Sequence, residues 1–171
     1  MAGWIFPVVL NLLDLLPGKG KSLALRGNWT KRFLASCGDN LKLSSRVNIY
    51  SPENLHCGDS VYVGYGTYIG GGQVFLDDEV IIGPYCCIVA GNHTRKDNSY
   101  RFGPYDSGAI RIGRGTWLGA HVTVTNGVRI GSGCLVAANS VVTRDIADFT
   151  VVAGVPAQPV RTLQDQSTGG G

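Results

Sequence analysis

The sequence predicts an all-β fold, a coil of short parallel strands with three flat faces. The main observation is an apolar residue that returns every six positions, most regularly at Ile112, Leu118, Val124, Ile130, Val136 and Val142. A fixed short period indicates stacked units, each of which buries its face on the next. Six residues fit neither the 3.6-residue period of a helix nor the two-residue alternation of a strand. Small and turn-forming residues between the apolar positions would form the corners.

An earlier run has the same period with two irregularities. A two-residue insertion near Leu55-His56 and one extra residue at Ile81-Ile82 account for the changes in spacing. The inward positions of this run are predicted at Cys37, Leu43, Ile49, Cys57, Val63, Ile69, Phe75, Ile82 and Ile88. We therefore expect coil over residues 37–154, a cap over residues 1–36, and an extension with a flexible tail over residues 155–171.

The cap consists of an apolar segment followed by a segment rich in basic residues. Its apolar segment, from Trp4 to Leu16, is shorter than the roughly 20 residues that a membrane span needs. It predicts a helix from about Pro7 that packs on the coil or on another subunit, with shallow insertion at a membrane surface as the alternative. The basic cluster is interpreted as a solvated face, with contact to an anionic surface or substrate as the alternative. Its members are Lys19, Lys21, Arg26, Lys31 and Arg32.

The six-residue pattern stops over residues 91–109 and resumes at Ile110. This segment is polar, carries aromatic residues and has no apolar period. A long loop on an otherwise regular scaffold is where functional residues tend to lie. We therefore predict that this excursion loop carries the functional site.

Composition excludes several classes of protein and site. The net charge of +3, with acids and bases interspersed, gives no sign of a nucleic-acid partner. The 25 glycines follow no collagen period. The five cysteines have no zinc-site spacing, and their odd number without a signal peptide predicts reduced thiols in a cytoplasmic protein. No metal site is expected.

Two segments carry recognisable motifs. The first reads IRIGRGTWLGAHVTVTNGVRIGSGCLVAANSVVTRDI and continues as VVAGVPAQPVR, and the second reads GNHTRKDNSYRF. They resemble the hexapeptide-repeat acyltransferases, specifically the maltose, galactoside and nodulation-type sugar O-acetyltransferases and the streptogramin acetyltransferases. The resemblance covers most of residues 55–163. It implies a left-handed parallel β-helix and a homotrimer with active sites between subunits. The implied reaction is direct acetyl transfer from acetyl-CoA to a hydroxyl.

The resemblance also implies catalytic residues. His93 lies at the start of the loop, where the family has its catalytic histidine. Histidine suits the task because its unperturbed pKa of about 6.5 lies near working pH, and a hydroxyl must lose its proton as it attacks a thioester. The oxyanion that forms needs a fixed N–H donor, which the family supplies from the backbone just after W-x-G, here Ala120. His56, assigned to a coil corner, and His121, expected to point outward, are interpreted as structural.

The coenzyme A contacts carry over in the same way. Trp117 matches the tryptophan that lines the cofactor cleft, and Ala138 lies at a turn along which the pantetheine arm runs. Thr143 and Arg144 match a Thr-Lys pair near the nucleotide, and Arg keeps the charge there. Arg161 matches the arginine after the AGVPA motif. The chain departs from a close relative at Gln158, where that relative has arginine, which could weaken phosphate binding.

The acceptor is the least marked part of the predicted site. Asn92, Asp97 and Tyr100 are candidate ligands for a sugar or polysaccharide-precursor hydroxyl, free or lipid-linked. Additional candidates are Asp77, Asp78, Tyr65, Tyr68 and Tyr85. A streptogramin-type acetyltransferase and a non-catalytic structural β-helix are the alternatives. The apolar N-terminus leaves contact with the inner face of a membrane open. A γ-class carbonic anhydrase is disfavoured because His56, His93 and His121 lack its histidine spacing.

Overall fold

The six-residue period forms a parallel β-solenoid of about six turns, which confirms the predicted left-handed parallel β-helix. The structure, a computed structural model, describes residues 5–164. Two helices precede the coil: α1 (Ile5–Leu13) and α2 (Lys21–Thr30). The flexible tail predicted beyond residue 164 lies outside the described residues, as do residues 1–4.

The strands form three sheets, one for each face of the coil. Sheet A contains β1 (Ser36–Cys37), β4 (Leu55–Cys57), β7 (Gln73–Leu76), β12 (Ala109–Ile112) and β15 (Arg129–Ile130). Sheet B contains β2 (Lys42–Leu43), β5 (Tyr62–Val63), β8 (Ile81–Ile82), β13 (Trp117–Leu118), β16 (Leu135–Val136), β18 (Thr150–Gly154) and β19 (Ala157–Thr162). Sheet C contains β3 (Asn48–Ile49), β6 (Tyr68–Gly70), β9 (Cys87–Val89), β14 (Thr123–Val124) and β17 (Val141–Val142).

The chain visits the sheets in the order A, B, C, so the coil has an A–B, a B–C and a C–A edge. The pairs between successive turns of the coil are parallel, and β19 returns antiparallel on β18 at its end. The six regular apolar positions, Ile112 to Val142, all lie in the core with at most 1% of their surface exposed. The predicted register of this run is therefore confirmed.

The prediction for one turn of the earlier run is wrong by one residue. Phe75 was assigned inward, but its neighbours Val74 and Leu76 are buried, and Phe75 lies on the outer face. Leu76 pairs in register with both Cys57 and Ile112. The extra residue therefore lies between Ile69 and Leu76, not at Ile81-Ile82. The first insertion is a short 3-10 turn, Pro52–Asn54, directly before β4.

The basic cluster of the cap was predicted to be a solvated face, and this prediction is wrong for one of its members. Arg26 is fully buried and holds the end of α1. Its Nη2 donates to the carbonyl oxygens of Leu16 at 2.7 Å and Leu13 at 3.0 Å, and its Nε donates to Asp14 Oδ1 at 3.3 Å. The last carbonyls of a helix lack partners within the helix, so this guanidinium satisfies them. The other four basic residues are exposed or half-exposed.

Candidate functional site

The predicted excursion loop is a hairpin arm that leaves the C–A edge between β9 and β12. Its two strands, β10 (Gly91–His93) and β11 (Tyr105–Ser107), pair antiparallel, with His93 opposite Tyr105. The predicted loop boundary is one residue too long, because Ala109 already belongs to β12 and pairs with Gln73. Asn126 connects the arm to the next turn of the coil, because its side-chain oxygen accepts a hydrogen bond from the Gly108 N–H at 2.7 Å.

His93 lies at the root of this arm with its side chain exposed. The ring of Tyr105 meets it edge-on, with centroids 5.7 Å apart and planes at 77°. The Tyr105 hydroxyl donates to the Gly71 carbonyl at 2.9 Å, which fixes the arm against the coil. Gly91 permits this contact, because a Cβ there would lie 2.0 Å from the Tyr105 hydroxyl oxygen.

A cleft of about 520 Å³ opens beside His93. Its lining is aromatic and polar, with residues from the C–A edge: Tyr50, Ser51, Tyr68, Gly71, His93 and Tyr105. Burial raises the pKa of Tyr68, and the neighbouring Tyr105, Cys87 and Tyr50 add to that effect. The Tyr68 phenol therefore keeps its proton and can donate a hydrogen bond. The cleft can take a small polar molecule that carries a hydroxyl toward His93.

None of the three acceptor residues singled out in the loop lines this cleft. Asn92 pairs with Asp106 across the arm and is exposed. Asp97 lies in the turn at the tip of the arm with a φ of 46°, and Tyr100 is 62% exposed. Tyr68 was predicted only as one of several tyrosines, and the lining residues Tyr50, Ser51 and Tyr105 were not predicted from sequence. Tyr50 and Tyr68 are next to the inward residues Ile49 and Ile69, so the repeat predicts that their side chains point outward on the same face of the coil. That position in the repeat could have identified them as lining residues.

Ala120 lies at the B–C edge, in a corner of the coil, and is partly buried. The turn places His121 at a φ of 59°, and the Ala120 N–H makes no hydrogen bond within residues 5–164. Leu118 pairs with Ile82 and with Val136, so Pro84 and Ala138 occupy the same position in the adjacent turns. Proline there confirms that this corner does not need its own N–H.

The residues predicted to bind coenzyme A lie on sheet B, at the B–C edge with Ala138, and at the C–A edge. Trp117 is half-exposed on the outer face of sheet B, between Ile81 and Leu135. Thr143 and Arg144 follow β17 at the C–A edge, both exposed, and Arg161 is exposed on β19 opposite Val151. A second cleft of about 400 Å³ is lined by Arg144 and Gln158 together with residues of the last turn, Asp145, Ile146, Ala147, Thr150, Val152, Ala157, Pro159 and Thr162.

His93 and Trp117 do not meet within one chain. The arm and its cleft occupy the C–A edge, and in a three-sided coil that edge lies opposite sheet B. Ala120 lies at the B–C edge, across sheet C from the arm. The structure thus places the candidate base and the candidate oxyanion donor on different edges of the same coil.

The other two histidines have structural partners. His56 was assigned to a corner, but it lies within β4, where its ring stacks on Phe75 at 4.5 Å. Its Nδ1 and Nε2 lie 2.9 Å from Ser36 Oγ and 3.1 Å from Gln73 Oε1. His121 is exposed and stacks on Tyr85 at 5.1 Å.

Residues 5–164 contain neither a cluster of metal ligands nor a helix that could span a membrane. No group of three or more His, Cys, Asp or Glu side chains there could hold a metal ion. No helix in that part of the chain is long and apolar enough to cross a membrane.

Comparison with known proteins agrees with this fold. The profile of the bacterial transferase hexapeptide family (six repeats) matches residues 109–144. The galactoside O-acetyltransferase of Escherichia coli (strain K12) is 34% identical over 93 residues, which cover 54% of this chain and 46% of that protein. The match thus spans less than half the length of that relative.

Two solved structures extend the likeness to nearly the whole chain. A maltose O-acetyltransferase from Clostridium difficile 630 superposes with a TM-score of 0.84 at 21% identity, over 94% of this chain and 86% of that one. A galactoside acetyltransferase in complex with coenzyme A has a TM-score of 0.79 at 26% identity, over 96% and 84% of the two chains. The chain thus matches the hexapeptide repeats of bacterial transferases over residues 109–144, resembles a galactoside O-acetyltransferase in sequence, and shares its fold with the maltose and galactoside acetyltransferases.

Proposed function

We propose that this protein is an acetyl-CoA-dependent O-acetyltransferase that acts on a sugar or polysaccharide-precursor hydroxyl. The observation that carries the proposal is the position of His93, exposed at the mouth of an aromatic cleft on the one arm that interrupts the coil. The fold that supports it is shared with a galactoside acetyltransferase that has coenzyme A bound. No metal takes part in this scheme.

His93 acts as the general base of a direct transfer. It takes the proton of the acceptor hydroxyl as that oxygen attacks the thioester carbonyl, so no acyl-enzyme forms. The C–S bond then breaks, and His93 returns the proton to the departing thiolate, giving the acetyl ester and coenzyme A. A positioned base of this kind contributes about 100- to 10,000-fold to the rate.

The Ala120 N–H stabilises the oxyanion of the tetrahedral intermediate. Because the Ala120 N–H has no hydrogen-bond partner among the described residues, it can donate to a negative oxygen without rearrangement. Pro84 and Ala138, in the same corner of the adjacent turns, leave its surroundings small. The donor thus depends on the corner and not on a side chain.

The complete site contains two chains. Because the His93 arm and the Trp117 face lie on opposite sides of one coil, a neighbouring copy supplies the second half. A closed ring of three copies gives every arm a facing sheet B and B–C edge, so we propose a homotrimer with three sites between subunits.

Coenzyme A lies along sheet B and reaches the C–A edge at the last turns of the coil. Trp117 contacts the pantetheine side, and the small side chain of Ala138 lets the arm approach the backbone. Thr143, Arg144 and Arg161 bind the nucleotide end, where two guanidinium groups suit phosphates. Gln158 lines the same hollow as Arg144 and offers amide hydrogen bonds there instead of charge.

The acceptor enters the cleft beside His93. Tyr50 and Tyr68 offer faces on which a sugar ring stacks, and the protonated Tyr68 phenol donates to a sugar oxygen. Asn92, Asp97 and Tyr100 extend along the exposed side of the arm and contact a longer acceptor. A cytoplasmic location and a peripheral membrane contact of the N-terminus remain predictions.

An acceptor screen with a matched pair of histidine variants tests the function. Purified protein is incubated with acetyl-CoA and free sugars, nucleotide sugars, lipid-linked oligosaccharides or streptogramins, and thiol release is followed. We expect turnover on a sugar acceptor, loss of at least 100-fold in kcat in His93→Ala, and little change in His56→Ala. Turnover on streptogramins alone would contradict the sugar assignment. Retention of more than about a tenth of kcat in His93→Ala would contradict the base.

A further inference from the structure

Helix α1 has two apolar faces, and only one of them packs on the protein. The buried face carries Phe6 and Leu10, and the Phe6 ring packs on Phe33 with centroids 5.3 Å apart. The other face and the turn after it carry Ile5, Val8, Leu12, Leu15 and Leu16, which are 36%, 49%, 59%, 84% and 38% exposed. These residues recur at three- and four-residue spacing, so their side chains form one outward apolar strip.

The surroundings of this strip are cationic. Residues 5–35 contain five Lys and Arg and a single carboxylate, Asp14. Asp14 is engaged by the buried Arg26 at 3.3 Å and Lys31 by Asp39 at 3.4 Å, so the net positive charge of residues 5–35 rests on Lys19, Lys21 and Arg32. Lys19 and Lys21 follow the strip directly in the chain, and both are exposed. Arg32 is also exposed and stacks over the Trp29 ring.

We infer that an anionic lipid surface is the partner of this strip. The leucines of the strip insert between the lipid headgroups, and Lys19 and Lys21 contact the lipid phosphates. An amphipathic helix with apolar residues beside basic ones suits such a surface. A second protein chain fits less well, because the five side chains expose on the order of 400 Å², about half of what each partner of a stable interface buries. The inference is independent of the acetyl transfer proposed above.

Vesicle flotation of the full chain tests the inference. The probes are vesicles of phosphatidylcholine with phosphatidylglycerol and vesicles of phosphatidylcholine alone. We expect the protein to float with the anionic vesicles and to dissociate as salt is raised. Leu12→Gln with Leu15→Gln lowers the affinity about tenfold per leucine, because the lost apolar contact is replaced by a polar group. Lys19→Gln with Lys21→Gln lowers it about fivefold per lysine.

Val160→Gln is the matched control. Val160 is 64% exposed on β19, at the end of sheet B far from the helices, so its substitution leaves flotation unchanged. Turnover of a water-soluble acceptor also stays unchanged in the leucine variant. Absence of binding to anionic vesicles would overturn the inference, as would equal binding of the wild type and the leucine variant. A change in oligomeric mass of the leucine variant without vesicle binding would assign the strip to a second copy and overturn it too.

Discussion

The regular coil after residue 109 and the hairpin arm before it differ in how much of each is buried and how each is held in place. Each turn of the coil buries its apolar residue almost completely, and its strands pair with those of the adjacent turns. The arm has one buried residue, Gly91. It is held by three residue pairs between β10 and β11 and by a few side-chain hydrogen bonds. The coil therefore supplies stability and the arm supplies exposed chemical groups. A repeat with flat faces offers no concave site by itself, so the interruption creates one.

The largest difference between the two regions is in stability. Leu118→Ala removes a fully buried side chain and should lower the free energy of unfolding by about 2–5 kcal/mol. Phe102→Ala, in the arm and 75% exposed, should change it by less than about 0.5 kcal/mol. Urea unfolding of both variants measures the contrast. Equal destabilisation would mean that the arm is part of the core.

The corner at Ala120 allows a catalytic donor to be removed without disturbing the coil. Ala120→Pro removes the N–H, and Pro84, at the same position one turn earlier, shows that this corner accommodates a proline ring. We expect kcat to fall about 100- to 1,000-fold with the melting temperature preserved. Arg114→Pro is the control, because it changes the equivalent position at the A–B edge of the same turn, where Gly115 has a φ of 67°. Similar losses in both variants would indicate general damage.

The reactivity of the cysteine thiols should differ between the interior of the coil, which holds Cys86, and its first turn, which holds Cys37. Burial raises the pKa of Cys86 to about 11, so at pH 8 roughly one molecule in a thousand carries that thiolate. A hydrogen bond from Cys57 lowers the pKa of the half-buried Cys37. Alkylation at pH 8, read by mass spectrometry, should modify Cys37 at least about 100-fold faster than Cys86.

The same shift gives a pH dependence of stability. The raised pKa of Cys86 favours the protonated thiol in the folded state, so its contribution is complete below pH 8.5, about the pKa of an unfolded cysteine. It is lost as the pH rises toward 11. The melting temperature should therefore fall over this range, and less so in Cys86→Ser, which lacks the titrating thiol. Equal falls in both proteins would argue against the shift.

The smallest expected effect concerns the tie between the arm and the coil. Tyr105→Phe removes the hydrogen bond to the Gly71 carbonyl but keeps the ring that packs against His93. The loss of one such bond is about 0.5–1.5 kcal/mol, which corresponds to a several-fold fall in kcat if the tie positions His93. The KM for acetyl-CoA should stay constant. An equal rise in that KM would assign Tyr105 a different role.

Much of the coil could be predicted from sequence because one residue in six is enough to specify a buried position. The error at Phe75 arose where three apolar residues, Val74 to Leu76, follow each other and spacing alone cannot choose between them. Arg26 was misassigned because composition does not report a helix end that needs a donor. The cleft tyrosines Tyr50 and Tyr105 were missed because they meet only after the coil brings distant turns together.

The central claim is that the His93 arm of one chain works with the Ala120 corner of another. The direct measurement uses mixed trimers of His93→Ala chains and Ala120→Pro chains, co-expressed with different tags and purified through both. Each variant is nearly inactive alone. If sites lie between chains, every trimer that carries both tags has one site of three with both groups intact, so about a third of wild-type activity should return. Activity no higher than that of the separate variants would contradict the account.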